Sequence, residues 1–196
     1  MTRIGLLSDT HGYLDKRVVE HFADVDEIWH AGDIGSMEVL QKLREFKPTR
    51  AVYGNMDSGD VRYSLSEFYR FRVEDVDVLM THIGGYPGKY NPWLLPMFKK
   101  ETPLLFVCGH SHILRVQYDS TWQMLTMNPG AAGKQGWQVV QTLLRFVIDG
   151  SEIRDLEVIE LEKDSDSVVN LCFTACFTGK SAKRCCRTYI LLLRNL

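Results

Sequence analysis

Residues 6–12 have the sequence Leu-Leu-Ser-Asp-Thr-His-Gly and place a carboxylate and an imidazole directly after an apolar run. The apolar residues 4–7 predict a short buried strand, and Gly12 predicts a break after it. Asp9 and His11 are two positions apart, so in extended backbone their side chains leave on the same side. In open α/β sheets, ligands bind at the carboxyl ends of the strands. The stretch therefore favours an α/β fold with a binding site at this strand end.

The same arrangement recurs twice in the next 45 residues. A predicted strand over residues 27–30 leads into Gly32-Asp33, and another over 49–53 leads into Gly54-Asn55. Helices are predicted between the strands, over residues 14–22 and from Ser36 onwards, because apolar residues recur there at helical spacing. Three successive β-α units thus deliver a polar group at the carboxyl end of each strand.

From residue 68 the pattern changes to β segments. Strands are predicted over residues 68–73, 76–81, 104–107, 113–118, 122–127, 139–148 and 152–161. The second of these ends on His82, and the third leads into Gly109-His110-Ser111-His112. A Gly- and Pro-rich loop over residues 84–96 is long enough to suggest a functional role. A β-α half followed by a β-rich half favours two packed sheets flanked by helices.

The polar residues at these strand ends form a candidate site for divalent metal ions. Carboxylates and imidazoles that converge suit ions of borderline softness, such as manganese, iron, cobalt, nickel or zinc. Each residue alone has a structural alternative as a turn residue or a hydrogen-bonded histidine. Their occurrence on successive strand ends favours the metal site, and its members are Asp9, His11, Asp33, Asn55, His82, His110 and His112.

The order Asp-x-His, Gly-Asp, Gly-Asn, His, Gly-His-x-His resembles that of the calcineurin-like metallophosphoesterase superfamily, over residues 1 to about 162. Within it the chain looks most like the small YfcE-type bacterial phosphodiesterases. The resemblance implies a four-layer fold, in which a two-sheet β sandwich is flanked by helices. It further implies one metal held by Asp9, His11 and His112, another held by Asn55, His82 and His110, and Asp33 as the bridge between them.

The resemblance also implies a function. The expected activity is that of a metal-dependent phosphoesterase, first of all a phosphodiesterase, acting on a small-molecule phosphate ester. Two divalent ions, with manganese as the first choice and nickel, iron, cobalt or zinc as alternatives, would hold a hydroxide that attacks phosphorus in line. The alternative function is a non-catalytic metal-binding scaffold of the same fold that mediates protein interactions. The complete set of seven ligand positions favours catalysis.

Met56 departs from the pattern of the wider superfamily. Many members have a histidine after the Gly-Asn, placed to assist the leaving group, whereas a methionine can neither give nor take a proton. Loss of a general acid costs about 10²- to 10⁴-fold on esters with poor leaving groups. Asp57 is either a substitute acid or a turn-capping residue, and both alternatives stay open. The YfcE-type proteins also lack this histidine, so the departure counts more against monoester than against diester hydrolysis.

Further residues near the motifs have two interpretations each. His30 is expected to be a buried structural histidine, with a hydrogen bond that orders Asp33 as the alternative. The loop aromatics either line a substrate pocket or cover a core, and they are Tyr86, Tyr90 and Trp93.

The composition is that of an ordinary globular protein, with 45% hydrophobic and 24% charged residues and a net charge of -2. The first 162 residues contain no basic cluster, so no nucleic-acid footprint is predicted. No apolar run approaches the roughly 20 residues of a membrane span, and no leader sequence precedes the first strand, so we expect a cytoplasmic protein without membrane partners. Cys108, the one cysteine of this part, agrees with a reducing compartment. A homodimer through a β edge or the aromatic loop is a further expectation.

Residues 163–196 differ in character from the rest. They hold 6 Lys+Arg against 2 Asp+Glu, whereas residues 1–162 hold 17 against 23. We predict a phosphoesterase domain over 1–162 and a basic, Cys-rich tail over 163–196, either disordered or a read-through extension without selected function. A zinc site is the alternative, although the spacing matches no common motif; its ligands would be Cys172, Cys176, Cys185 and Cys186.

Overall fold

The computed structural model describes residues 1–162 in full and, beyond them, the strand backbone of residues 168–173 and 177–178. The strands are β1 (Thr2–Leu7), β2 (Glu27–His30), β3 (Thr49–Ala51), β4 (Phe68–Val73), β5 (Val76–Thr81), β6 (Gly85–Tyr86), β7 (Lys89–Tyr90), β8 (Leu105–Val107), β9 (Leu114–Asp119), β10 (Met124–Pro129), β11 (Val140–Asp149), β12 (Glu152–Glu162), β13 (Val168–Phe173) and β14 (Phe177–Thr178). The helices are α1 (Lys16–His21), α2 (Met37–Phe46), α3 (Gly59–Ser64) and α4 (Leu95–Lys100), with a 3-10 turn over Pro92–Leu94.

Two mixed sheets and one small hairpin hold the described strands. The first sheet has the order β13-β12-β11-β1-β2-β3, with β14 also paired to β12. Within it β1, β2 and β3 run parallel, so their carboxyl ends lie at one edge. The second sheet has the order β4-β5-β8-β10-β9, and β8 runs parallel to both β5 and β10. The hairpin is formed by β6 and β7.

The molecule has four layers. Buried side chains from both sheets fill the space between them, among them Trp29 and Phe146 from the first sheet and Met80 and Val107 from the second. The outer face of the first sheet packs against α1, α2 and α3. The outer face of the second packs against α4, whose Phe98 is buried. This arrangement confirms the predicted α/β fold, a two-sheet sandwich flanked by helices.

Both predicted helix starts are capped by a side chain. Ser36 Oγ accepts a hydrogen bond from the Val39 N–H (3.3 Å), which satisfies one free donor of the first turn of α2. The Asp15 carboxylate accepts from the Arg17 N–H (3.0 Å) at the start of α1. It also pairs with the guanidinium of Arg17 at 2.7 Å, and this hydrogen bond holds the pKa of Asp15 at about 2.

The structure differs from the sequence predictions in the end of β3, in helix α3 and in the start of α4. The strand predicted over residues 49–53 ends at Ala51, because the Tyr53 N–H turns away to Ser66 O (3.1 Å). Helix α3 was not predicted, since Val61 is its one buried residue and leaves no helical period to detect. The predicted loop over 84–96 ends in the first turn of α4, where Pro96 loses no hydrogen bond.

No helix among the described residues is long and apolar enough to span a bilayer. Strand β13 pairs antiparallel with β12, Leu161 standing opposite Val168. The predicted division at residue 162 stays a prediction. The side chains of the four tail cysteines, and with them the alternative zinc site, lie outside the described part of the chain.

Candidate metal centre

Strained backbone marks the predicted ligand positions. Eight of the described non-glycine residues have a positive φ. Five of them belong to the predicted set, namely Asp9 (55°), His11 (48°), Asp33 (53°), His110 (67°) and His112 (56°). The left-handed conformation costs a non-glycine residue about 1 kcal/mol or more. Backbone strain of this kind concentrates at functional sites.

Backbone hydrogen bonds bring the strand ends together. The Asp9 N–H donates to Gly32 O and the His11 N–H donates to Asp33 O, both at 2.9 Å, which joins the turns after β1 and β2. The His110 N–H donates to Asp9 Oδ2 at 3.1 Å. Because His110 follows β8, this bond joins the second sheet to the first. The predicted side chains therefore meet at one edge of the sandwich.

Asp9 lies at the middle of the first group. Its Oδ2 accepts from the Ser8 hydroxyl (2.6 Å) and from His110 N–H, whereas Oδ1 is buried without a hydrogen bond of acceptable geometry. Three imidazole nitrogens surround Oδ1, at distances to Nε2 of 3.1 Å (His112), 3.9 Å (His11) and 3.9 Å (His82). Buried carboxylate oxygens without a partner are costly, and a cation in this space would remove the cost.

The two carboxylate oxygens of Asp33 also differ in their partners. Oδ1 accepts from the Met56 N–H at 2.8 Å. Oδ2 lies 3.2 Å from His82 Nε2 and 3.9 Å from His11 Nε2. Asp33 therefore faces both groups of ligand atoms, the position that a bridging carboxylate requires. The groups whose ligand atoms lie within 4.8 Å of one another are Asp9, His11, His112 and Asp33, His82, His110.

Asn55 is the seventh predicted ligand. It follows β3 on the turn that carries Met56, and its side chain is exposed and makes no hydrogen bond within residues 1–162. The turn thus lies at the same edge as the other six residues. Ligation by the Asn55 side chain stays a prediction.

Two of the histidines are held in the tautomer that a metal ligand needs. His82 Nδ1 donates to Ala31 O at 2.8 Å, and His112 Nδ1 donates to Gln138 Oε1 at 3.2 Å. Since Nδ1 carries the proton, Nε2 presents its lone pair to the centre. His82 Nε2 is buried and has no hydrogen-bond partner. Ala31 and Gln138 are positioning groups that the sequence did not reveal.

The residues present fit a pair of divalent ions. Ligand atoms about 2.1 Å from a tetrahedral ion lie about 3.4 Å apart, and the separations between carboxylate oxygens and Nε2 atoms here are 3.1–3.9 Å. Mixed imidazole and carboxylate ligands suit first-row transition metals. Among the described residues, five buried side-chain atoms have no hydrogen-bond partner, and two of them, Asp9 Oδ1 and His82 Nε2, belong to this set.

The two carboxylates also shape the electrostatics. The Asp9 carboxylate, whose Oδ1 lies 3.1 Å from His112 Nε2, raises the pKa of His112. Burial lowers the pKa of His82, but its neighbours Asp33 and Asp9 outweigh burial and raise it overall. Protons and metal ions therefore compete for the same nitrogens, and metal affinity is expected to weaken as pH falls.

The turn that carries His110 and His112 is braced from β10. The Asn128 amide donates to Gly109 O (2.7 Å) and to Ser111 Oγ (3.1 Å). A side chain at Gly109 would meet the Ser8 hydroxyl, the same group that holds Asp9. The Gly-His-x-His motif therefore needs its glycine for close approach to β1, a requirement visible only once the sheets are packed.

Asp57 is a structural residue at this site. Its buried carboxylate accepts from three backbone N–H groups, those of Gly54 (2.8 Å), Ile34 (3.1 Å) and Gly35 (2.7 Å). Of the two alternatives left open by the sequence, this arrangement favours the turn-capping role, because both oxygens are engaged. Asp57 thereby fixes the turn of Asn55 against the turn of Asp33.

We expect Asp57→Ala to lower the free energy of unfolding by about 3 kcal/mol, because three buried donors lose their acceptor. Urea denaturation followed by circular dichroism measures the change. Asp60→Ala on α3, an exposed position three residues further along, is the control and should stay within about 0.5 kcal/mol of the parent protein. Equal stability of the two variants would contradict the structural role.

His30 is a buried structural histidine, and no hydrogen bond joins it to Asp33 among the described residues. Its Nδ1 accepts from the Gly32 N–H (3.2 Å), so Nε2 carries the proton and donates to Thr10 Oγ1 (2.9 Å). Thr10 in turn donates to Ile34 O (2.9 Å). Burial lowers the pKa of His30 to about 4.

The shifted pKa of His30 predicts acid sensitivity. Between pH 6.5 and about 4 the unfolded chain binds a proton at this residue and the folded protein does not, so stability falls as pH falls through this window. The full contribution is about 3 kcal/mol. Urea denaturation at pH 7 and pH 4.5 should show a smaller loss for His30→Gln than for the parent protein. Parallel losses in the two proteins would show that His30 does not cause the sensitivity.

A cavity of about 460 Å³ opens beside His110. Tyr86 and Tyr90 line it, as the pocket alternative for the loop aromatics expects. Trp93 instead packs with α4 on the outer face of the second sheet, so the core alternative holds there. Tyr90 does both, since its ring joins this outer cluster while its hydroxyl donates to Asp119 (2.7 Å).

Comparisons with known proteins agree with this architecture. The family model described as the calcineurin-like phosphoesterase superfamily domain matches residues 2–151. A probable metallophosphoesterase of Methanocaldococcus jannaschii is 30% identical over 134 residues, which are 65% of this chain and 67% of that protein. Vps29 of Chaetomium thermophilum superposes with a TM-score of 0.74 at 17% identity, covering 91% of this chain and 99% of its own. Vps29 of Entamoeba histolytica, complexed with Zn²⁺, superposes with a TM-score of 0.67 at 16% identity, covering 88% and 98%. At such identities the two structures show the fold alone.

Proposed function

We propose that this chain, which belongs to the calcineurin-like phosphoesterase superfamily, hydrolyses phosphodiesters with two divalent metal ions. One observation carries the proposal: six of the seven predicted ligands converge at one edge of the sandwich, where Asp9 Oδ1 and His82 Nε2 are buried without partners. Manganese is our first choice of metal. Zinc is included because the Entamoeba histolytica neighbour is complexed with Zn²⁺.

The chain's own residues would act mainly by holding and orienting. Asp9, His11 and His112 would hold one ion, Asn55, His82 and His110 the other, and Asp33 would bridge them. When bound, such ions lower the pKa of water towards about 7 and neutralise the charge of phosphoryl oxygens. The N–H of Met56 fixes Asp33 Oδ1. Ala31 and Gln138 accept from Nδ1 of His82 and His112, so that in the neutral rings Nε2 presents its lone pair.

The choice of diesters over monoesters rests on Met56. Its side chain is 59% exposed at the turn after β3 and has no proton to give to a departing alcohol. Asp57, the nearest acid in sequence, is fully engaged with backbone donors. The leaving group must then depart without help from either residue, which favours esters of acidic alcohols.

Metal add-back tests the proposal. Metal-stripped protein receives manganese, nickel, zinc or magnesium, and bound metal is counted beside hydrolysis of bis(para-nitrophenyl) phosphate and para-nitrophenyl phosphate. We expect manganese to restore diester turnover at a rate at least about tenfold above monoester turnover. A faster monoester would overturn the proposed preference for diesters. Bound metal with no hydrolysis would favour the non-catalytic scaffold that mediates protein interactions.

A further inference from the structure

The cavity beside His110 is lined by positive charge. Its wall includes Arg115 and Lys89, and no Asp or Glu of residues 1–162 lines it. Two acids lie behind this wall: Asp119 is occupied by the Tyr90 hydroxyl and by the N–H of Thr121 (2.8 Å), and Asp9, which accepts from the His110 N–H at 3.1 Å, belongs to the candidate metal centre. The chain as a whole has a net charge of -2, so the charge of this cavity wall is opposite in sign to that of the chain.

Arg115 is the residue that gives the cavity its chemistry. Its guanidinium lies 4.3 Å from the centre of the Tyr86 ring, the side chain is half-buried, and no ion pair or hydrogen bond reaches it within residues 1–162. Five N–H donors in a planar fork suit a carboxylate or phosphate group of a ligand. Arg50, which also contacts an aromatic ring, differs because it is paired with Glu27 at 2.8 Å.

Apolar side chains form much of the remaining wall of the cavity. Tyr86, Ile83 and Ile113 line it, and all three are more than a third exposed. Asn128 also lines the cavity, but its amide is already bonded to the turn of His110. A ligand that occupies this space would therefore contact apolar side chains along its body and a cation at one end.

We propose that the cavity selects phosphodiesters whose alcohol half carries a second anionic group, and that Arg115 binds this group while Tyr86 and Ile113 cover the chain between. The inference rests on the proposed function for the position of the phosphoryl group, which His110 in the same wall would place at the metal centre. Arg115 is thus a specificity residue and takes no part in bond cleavage.

A matched pair of substrates isolates the second anion. Para-nitrophenyl carboxypropyl phosphate and para-nitrophenyl butyl phosphate share a leaving group and differ in one carboxylate. With manganese-loaded protein we expect kcat/KM to be at least about tenfold higher for the carboxylated ester, the worth of one charged hydrogen-bonded pair. In Arg115→Met the ratio should fall to near one, and in Arg115→Lys it should keep part of its value. A ratio within one protein is unaffected by the fraction of molecules that folds.

Arg62→Met is the control, because Arg62 also lies 4.3 Å from an aromatic ring, that of Tyr53, and does not line the cavity. It should keep the ratio of the parent protein. A ratio near one in the parent, or a ratio that survives in Arg115→Met, would overturn the inference.

Binding of phosphonates separates failure of the inference from failure of the proposed function. Phosphonobutyrate and butylphosphonate are not hydrolysed, and calorimetry on manganese-loaded protein gives their Kd values. We expect the carboxylated phosphonate to bind at least about tenfold tighter in the parent and in Arg62→Met, but not in Arg115→Met. If this difference holds and neither ester is cleaved, the anion site stands and the phosphodiesterase proposal falls. If the esters are cleaved and both ratios are near one, or if neither phosphonate binds, the anion site is refuted.

Discussion

Asp33→Asn should lose about 10³-fold in kcat on a phosphodiester. Both oxygens of Asp33 are in use, Oδ1 with the Met56 N–H and Oδ2 facing His82 Nε2 at 3.2 Å. An amide keeps the shape but turns one of these acceptors into a donor, and it removes the negative charge that two cations would share. Steady-state kinetics with manganese, together with a count of bound metal per chain, measures both consequences.

Asp77→Asn is the matched control for this variant. Asp77 is a partly buried carboxylate on β5, paired with Arg70 at 2.5 Å, and it lies at the opposite end of the strand from His82. Its amide should leave kcat within about twofold and metal content unchanged, since surface-type pairs contribute little. Full metal content and activity in Asp33→Asn would show that Asp33 is not the bridge.

Gly54→Ala should lower kcat/KM by about 100-fold, the cost of moving a catalytic group by about 1 Å. A Cβ at Gly54 would come within 2.7 Å of Asp33 Cγ and still closer to the Asp33 backbone nitrogen. Because part of the clash is with backbone, no change of rotamer relieves it, and the turn of Asp33 must shift. Kinetics beside a thermal melt would separate displacement of the site from loss of the fold.

Gly59→Asn serves as its control, five residues further along. Gly59 has a φ of +53°, which asparagine tolerates, and nothing lies within 4 Å of an added Cβ. This variant should retain the activity of the parent. If Gly54→Ala remained fully active in a folded protein, the close contact between the turns after β2 and β3 would have no catalytic importance.

The sequence predicts most of the fold and the place of the site because glycines follow the ends of the strands. The apolar run before Asp9 and the Gly-Asp at Asp33 each predict a buried strand followed by a turn. Because the two strands are parallel, both turns lie at one edge of the sheet. The sequence does not predict helix α4, because two prolines and an aromatic-rich loop leave no clear helical pattern at its start. Its Phe98 is nevertheless fully buried.

What the sequence could not predict depends on contacts between distant turns. The three backbone donors on Asp57 belong to turns 20 or more residues earlier as well as to its own. Likewise, the bond from His110 N–H to Asp9 Oδ2 joins residues 101 positions apart, and it decides which oxygen of Asp9 faces the histidines. Such choices follow from how the two sheets pack, and no local pattern encodes them.

The left-handed backbone at the candidate ligands lowers the stability of this protein at the residues that its activity requires. Five non-glycine residues at about 1 kcal/mol each amount to about 5 kcal/mol, which is comparable with the entire net stability of a typical domain. Glycine at any of these positions would relax the chain and delete a ligand in the same step. A search for thermostable variants scored on folding alone would therefore be drawn to these positions first, and directed evolution of this protein needs a catalytic screen at every round to keep them.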